Sequence, residues 1–303
     1  MLVESINRFQ LIWLRFMIKL PLYHKYSTKN PKWLLMFLLC RFQIIRSFVT
    51  FFSQPPLLNE YKRNESLFNA VDVENAVKTM NKDGCFLGIK LPKNVRQEIM
   101  TYASYATCYA NGDSQLSFNI MEKENCQAKY EKNFVIGEYL NVSNGCSAIN
   151  KLTNDSKLLE IAASYLKAEP ICTGIRLWWS FAGKATLHER IDFAQELFHY
   201  DPVDYGAIKF FFYLTDVDFS SGPHVYVRGS HKKKKLSQQL SLFIGRSDKD
   251  ITDYYKAEEI VYICEEAGFG FAEDPFCFHK GTPPSHENRL MLQIQFSLND
   301  YRI

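Results

Sequence analysis

Six aromatic and β-branched runs follow one another after residue 169, and they restrict this chain more than any other feature. They span residues 171–181, 207–215, 224–227, 259–264, 268–272 and 289–298, and Gly, Pro, Asp and Ser divide them. Short strands at this spacing predict an all-β sandwich or barrel. Residues 230–255 interrupt the series with a basic run, Lys232–Lys235, followed by helical periodicity. No aromatic residue interleaves the four lysines, so the run is expected to be a solvated loop and no nucleic-acid partner is expected.

Upstream the periods change. Residues 57–168 form a mixed, mainly helical part. A periodic stretch at 73–80 stops at Asp83-Gly84, a short strand is expected at 85–91, and a helix at 92–106 has Pro near its start. Another helix contains Leu158, Leu159, Ile161, Ala162 and Leu166, with Asn154 or Asp155 as its cap. Gln54-Pro55-Pro56 separates all of this from a first segment, residues 1–56. The division is therefore 1–56, then 57–303, the latter split into a mixed part at 57–168 and a β core at 169–303.

Charge sets the first segment apart. The chain of 303 residues carries a net +3, yet residues 1–60 hold eight Lys/Arg against Glu4 and Glu60, a net +6. The other 243 residues carry −3. Helices are expected at 5–20 and 32–52. They either pack their apolar sides on the body or lie on a membrane surface, which leaves a peripheral membrane contact through residues 5–52 open. Arg41 stands near the middle of the second apolar run, where a central Arg costs about 2.5–3.5 kcal/mol on insertion scales, so a spanning helix is disfavoured. The first run ends at Pro21 without a small-residue cleavage site, so no secretory signal is expected. Eight cysteines, none in a CxxC pair, read as reduced thiols of a cytoplasmic protein.

The chemistry concentrates late in the chain. In Phe198-His199-Tyr200-Asp201, residues i and i+2 of an extended chain point to the same side, so His199 and Asp201 can offer a nitrogen and a carboxylate oxygen to one metal ion. His-x-Asp alone is weak, since composition gives roughly 0.3 such motifs by chance. Two later residues give it weight. His279 ends a late strand, and Arg289 opens the last strand ten residues on. Two His and one carboxylate make the facial triad of non-haem Fe(II) oxygenases, and a buried Arg can clamp a carboxylate with two prongs. Other residues are left open. Lys209 points into the barrel or away from it. Arg176 and Trp178 share one side of their strand. His224 and His231 are expected as turn and strand-end residues, His188 and His286 as loop residues, with a place at the substrate mouth left open for His188.

The segment from about 170 to 301 resembles the phytanoyl-CoA dioxygenase-like family of Fe(II)/2-oxoglutarate oxygenases. The resembling stretches are FHYDPVDYGAIKFFFYLTDVDFSSGPHVYVRGSHK and GFGFAEDPFCFHKGTPPSHENRLMLQIQF. The family's usual Pro-Gly-Ser-His is Arg228-Gly229-Ser230-His231 here. The resemblance implies a mainly β fold with flanking α, a double-stranded β-helix (a jelly-roll, cupin-like core) carrying N-terminal helices. It implies Fe(II) on His199, Asp201 and His279. It places Arg289 on the distal carboxylate of the cosubstrate 2-oxoglutarate, with Thr282 lending a hydroxyl. Dioxygen is the third reactant, and a C–H bond of a small-molecule or lipid-linked substrate of unknown identity is hydroxylated with release of succinate and CO2. Asp201 favours hydroxylation over halogenation, because halogenating relatives replace this carboxylate by a small residue. A cupin enzyme of another class, an isomerase or hydrolase, and a catalytically silent binding protein are the rival readings.

Overall fold

Alternation along residues 207–213 sets the architecture. Ile208, Phe210 and Phe212 point one way into an apolar core shared with helices, while Phe211 and Tyr213 point the other way. One strand therefore faces two environments, as period two requires. The computed structural model describes residues 20–301, apart from 22, 55, 57, 59–60, 62–64, 184, 187–188, 190–196 and 241–244. All but the last residue of the expected helix at 5–20, and His188, lie outside the described residues.

Among the described residues the strands are β1 (Cys85–Lys90), β2 (Cys108–Ala110), β3 (Ser117–Phe118), β4 (Ile136–Tyr139), β5 (Ile171–Ser180), β6 (Ala207–Tyr213), β7 (His224–Val227), β8 (Ile260–Ile263), β9 (Phe269–Glu273), β10 (His279–Gly281) and β11 (Arg289–Ser297). They form an antiparallel sheet in the order β1-β9-β6-β11-β5-β4-β2-β3 and a smaller one in the order β10-β7-β8. His199 bridges to His279, which adds the 198–199 segment to the free edge of β10. From β5 onward the chain thus steps between the two sheets: large, small, large, small, small, large, small, large. All six expected late strands are present within a residue or two of their expected ends. The chain at 108–139 adds three short strands that were not expected. At two to four residues each, they are too short to show alternation.

Helices cover the outer face of the large sheet. α3 (Val73–Asp83) begins at Asp72, whose side chain accepts from the Asn75 N–H, and ends on Gly84 at φ 79°. Glycine is required there twice over, since a Cβ would also stand 2.2 Å from Cys277 Sγ. α4 (Lys93–Tyr105) and α5 (Ser156–Leu166) follow, and Asp155 caps α5 by accepting from the Lys157 and Leu158 N–H groups.

The expected helix at 32–52 is two helices, α1 (Pro31–Leu39) and α2 (Gln43–Phe51). Arg41 causes the break. Its side chain is 5% exposed and donates to the carbonyls of Phe37, Leu38 and Gln239. A guanidinium that satisfies the last carbonyls of a helix ends it. α1 packs on the body, with Met36 and Cys40 fully buried against Phe276. Arg46 fastens α2, donating to His231 O at 2.9 Å and lying 3.9 Å over the Phe276 ring. Ile44, Phe48, Phe51 and Phe52 point away from the body. Among the described residues no helix is long and apolar enough to cross a membrane.

Candidate metal centre

A two-residue bridge brings the first two ligands of the motif to the third. His199 and His279 exchange backbone hydrogen bonds of 2.9 and 2.8 Å, and the Asp201 N–H donates to Pro275 O. The imidazoles then lie with ring centroids 4.5 Å apart, and Asp201 stands beside both. One ligand atom from each of His199, Asp201 and His279 lies within 4.8 Å of the others. His279 Nε2 is 3.4 Å from Asp201 Oδ2, and His199 Nε2 is 3.8 Å from Oδ1.

Backbone carbonyls orient the two rings. His199 Nδ1 lies 2.9 Å from Leu197 O, and His279 Nδ1 lies 3.0 Å from Cys277 O. A carbonyl only accepts, so each Nδ1 carries a hydrogen and each Nε2 is turned toward the carboxylate. His199 Nε2 is buried and has no hydrogen-bond partner among the described residues. A buried nitrogen lone pair is costly unless something occupies it. Two imidazoles and a carboxylate are the donor set that holds Fe(II) with open positions, and the residues fit that ion.

Charge around the triad is dense. Lys209 points inward, and its ammonium donates to Asp201 Oδ2. Glu273, 1% exposed, accepts from His224 Nε2 at 2.6 Å through one oxygen and lies 3.0 Å from His279 Nδ1 through the other. Burial works to raise the Asp201 carboxyl, but Lys209 and then His279 outweigh it and hold it well below the usual range. Burial likewise opposes ionisation of Glu273, yet His224 and His279 bring it to about 2. Burial pushes His199 down to about 4, with His279 adding to the effect. For His279 burial is overcome by Glu273 and Asp201, which raise it to about 10.

Arg289 lies on the inner parity of the large sheet, 4% exposed at the start of β11. Its Nη2 donates to Ser180 Oγ at 3.1 Å, while Nε and Nη1 are buried without hydrogen-bond partners among the described residues. Burial lowers its pKa, and no carboxylate compensates it among the described ion pairs. A buried guanidinium with two idle donors is a receptor for a carboxylate. Met291 pairs with both Trp178 and Tyr213, and Gln293 with Arg176 and Phe211. These rows continue the same face of the large sheet beyond Arg289.

Thr282 donates its hydroxyl to Pro223 O at 2.6 Å, beside the Gly222-Pro223 turn. Other expectations change. The hydroxyl against Arg289 is that of Ser180, which faces Arg289 in the β5–β11 register. His224 is no mere strand end, since it stacks on His279 with centroids 5.6 Å apart and bonds Glu273. The lysine run is not wholly solvated. Lys234 turns inward, donating to the carbonyls of Ser230 and Phe276 and lying 4.8 Å from the Tyr200 and Phe278 rings. Glu273 escaped the sequence reading. Its signal was a carboxylate two residues after Phe271, on the inward parity of its strand.

No family model and no curated protein matches this sequence. Solved structures do match. The epimerase SnoN in complex with Fe3+, alpha ketoglutarate and nogalamycin RO is 12% identical, over 76% of this chain and 87% of that one, at a TM-score of 0.52. The non-heme alpha ketoglutarate dependent carbocyclase SnoK from nogalamycin biosynthesis is 13% identical over 77% and 86%, at 0.50. The apo form of the non-heme monooxygenase ThoJ is 16% identical over 75% and 77%, at 0.51. At such identities the likeness is one of architecture: the chain has the fold of these non-haem enzymes.

Proposed function

We propose that this protein is an Fe(II)- and 2-oxoglutarate-dependent oxygenase of the phytanoyl-CoA dioxygenase-like kind, hydroxylating a C–H bond and releasing succinate and CO2. Its alternation between two sheets is read as a double-stranded β-helix. The observation that carries the proposal is the pairing of two idle polar groups in one barrel: His199 Nε2 at the triad, and the Nε and Nη1 donors of Arg289. The first calls for a metal, the second for a carboxylate.

Iron, when bound, supplies the activation of dioxygen, with 2-oxoglutarate as the reductant. His199, Asp201 and His279 hold it. Lys209 donates to Asp201 Oδ2 and would steady the carboxylate in its place at the metal. Glu273 and Cys277 O fix the ring of His279. Arg289 and Ser180 hold the distal carboxylate of 2-oxoglutarate. Trp178, Tyr213 and Met291 exclude water around its chain. The SnoN, SnoK and ThoJ names cover epimerisation, ring closure and monooxygenation, so hydroxylation rests on the resemblance and on Asp201 keeping its place as an oxygen ligand.

Anaerobic protein with Fe(II), titrated with 2-oxoglutarate, is expected to develop a weak visible charge-transfer band. Arg289→Ala should weaken 2-oxoglutarate about 100-fold while iron stays bound. Absence of the band, together with no calorimetric binding of 2-oxoglutarate, would sink the proposal.

A further inference from the structure

A cleft of about 580 Å3 lies between the N-terminal residues Tyr26 and Trp33, the strand residues Thr173 and Gln295, and Tyr301 near the end of the chain. That volume is ordinary for a small-molecule site, ~300–1,000 Å3. Three links tie it to the metal centre. Gln295 is the register partner of Lys209, whose ammonium holds Asp201. Val203 also lines the cleft, and its N–H donates to Asp201 O. Tyr23, stacked on Trp33 at 5.6 Å, is close enough for its hydroxyl to feel the Asp201 charge. The N-terminal segment therefore walls the mouth of this cleft, one residue row away from the groups that hold Asp201, although it supplies no metal ligand.

We infer, on the basis of the oxygenase reading, that this cleft receives an uncharged polyhydroxylated ring, a sugar or cyclitol unit, as the substrate or its recognised part. The lining decides the class. Tyr26 and Trp33 meet edge to face at 5.2 Å, and Tyr301 adds a third ring. Aromatic rings give flat apolar contact to the C–H face of a sugar. Thr173, Ser297, Gln295 and Asn299 then offer hydroxyls and amides, which both donate and accept, as ring hydroxyls demand. Thr173 Oγ1 and Ser297 Oγ are 2.9 Å apart, and Gln295 Nε2 donates to Thr173, so these groups form one ordered row. An acyl chain would strip that row of water without replacing its hydrogen bonds. Among the described residues no Lys or Arg lines the cleft to attract a phosphate or carboxylate.

The test uses the full chain and a panel of methyl hexopyranosides as probes, read by saturation-transfer NMR. Binding by at least one is expected, weakened about ten-fold by Trp33→Ala and by Gln295→Ala. Gln295→Ala and Thr173→Val keep the test valid should Trp33→Ala fail to fold. No binding by any hexopyranoside would overturn the inference, and so would binding indifferent to all three variants, or a simple octanoyl thioester that occupies the cleft in preference to the sugars. The charge-transfer band is recorded on the same samples. A normal band without sugar binding defeats this inference alone, whereas a missing band defeats the oxygenase reading.

Discussion

The two faces of the large sheet differ in kind although they share strands. On the outer face Ile208, Phe210, Phe212, Leu290, Leu292, Ile294 and Phe296 are all buried in one apolar cluster with the helices. On the inner face the intervening positions carry Lys209, Gln293, Glu273 and Arg289, all buried as well. Burying apolar side chains stabilises by about 1.5–3 kcal/mol each, whereas a buried charge costs free energy unless it is paired. The outer face holds the large sheet on its helices, and the inner face uses that rigidity to keep Asp201, Glu273, His279 and Arg289 in place. Neighbouring residues on one strand can therefore serve stability and chemistry separately.

Substitution should separate the two faces. The largest effect is expected from Asp201→Ala, which should abolish iron retention by elemental analysis while the protein still unfolds cooperatively. Full turnover by that variant would show the ligand assignment to be wrong. Phe210→Ala, on the outer face, should cost about 3–5 kcal/mol in urea unfolding and leave the iron affinity of the folded fraction intact. Loss of iron from still-folded Phe210→Ala would erase the distinction between the faces. Glu273→Gln should weaken iron roughly 10–100-fold, measured by competition with a chelator, since it removes the charge behind His279. An effect of a different kind, on pH dependence, concerns Lys234, which burial pushes down to about 7. Above that pH the folded chain releases a proton that the unfolded chain keeps until about 10.5. Stability should thus fall as pH rises from below 7 only if the folded state held the proton more tightly; here it holds it less tightly, so the unfolded chain binds more protons and stability should rise with pH between about 7 and 10.5. Below 7 both states are protonated and the slope should level off. Lys234→Met should remove that slope, and an unchanged slope would place its origin elsewhere.

The N-terminal helices extend the contrast. α1 buries Met36 and Cys40 on the body and sets Trp33 at the cleft. α2 leaves Ile44, Phe48, Phe51 and Phe52 outside, with Phe48–Phe52 and Phe51–Phe52 ring centroids 4.8 and 5.2 Å apart. From the sequence these helices looked like a single apolar run. Arg41 divides them, and only the Phe37, Leu38 and Gln239 carbonyls around it show why.

Much of the metal centre was legible because its signals are local. His199 and Asp201 are two residues apart on extended chain, and aromatic and β-branched runs between turn residues marked the six late strands. His279 and Arg289 could be placed by their order along a recognisable β pattern. Lys209 could not be assigned a direction, since either parity of its strand was open until β6 found its neighbours β9 and β11. Ser180 reaches Arg289, and Tyr26 and Trp33 reach the mouth, across 109 and more than 100 residues of chain. By itself the sequence determined the late strands and the His199-x-Asp201 pair, because these depend on residues within a few positions of one another. Only the tertiary structure decided which groups neutralise, orient and enclose that triad, because burial and ion pairing depend on the packing of segments far apart in the chain.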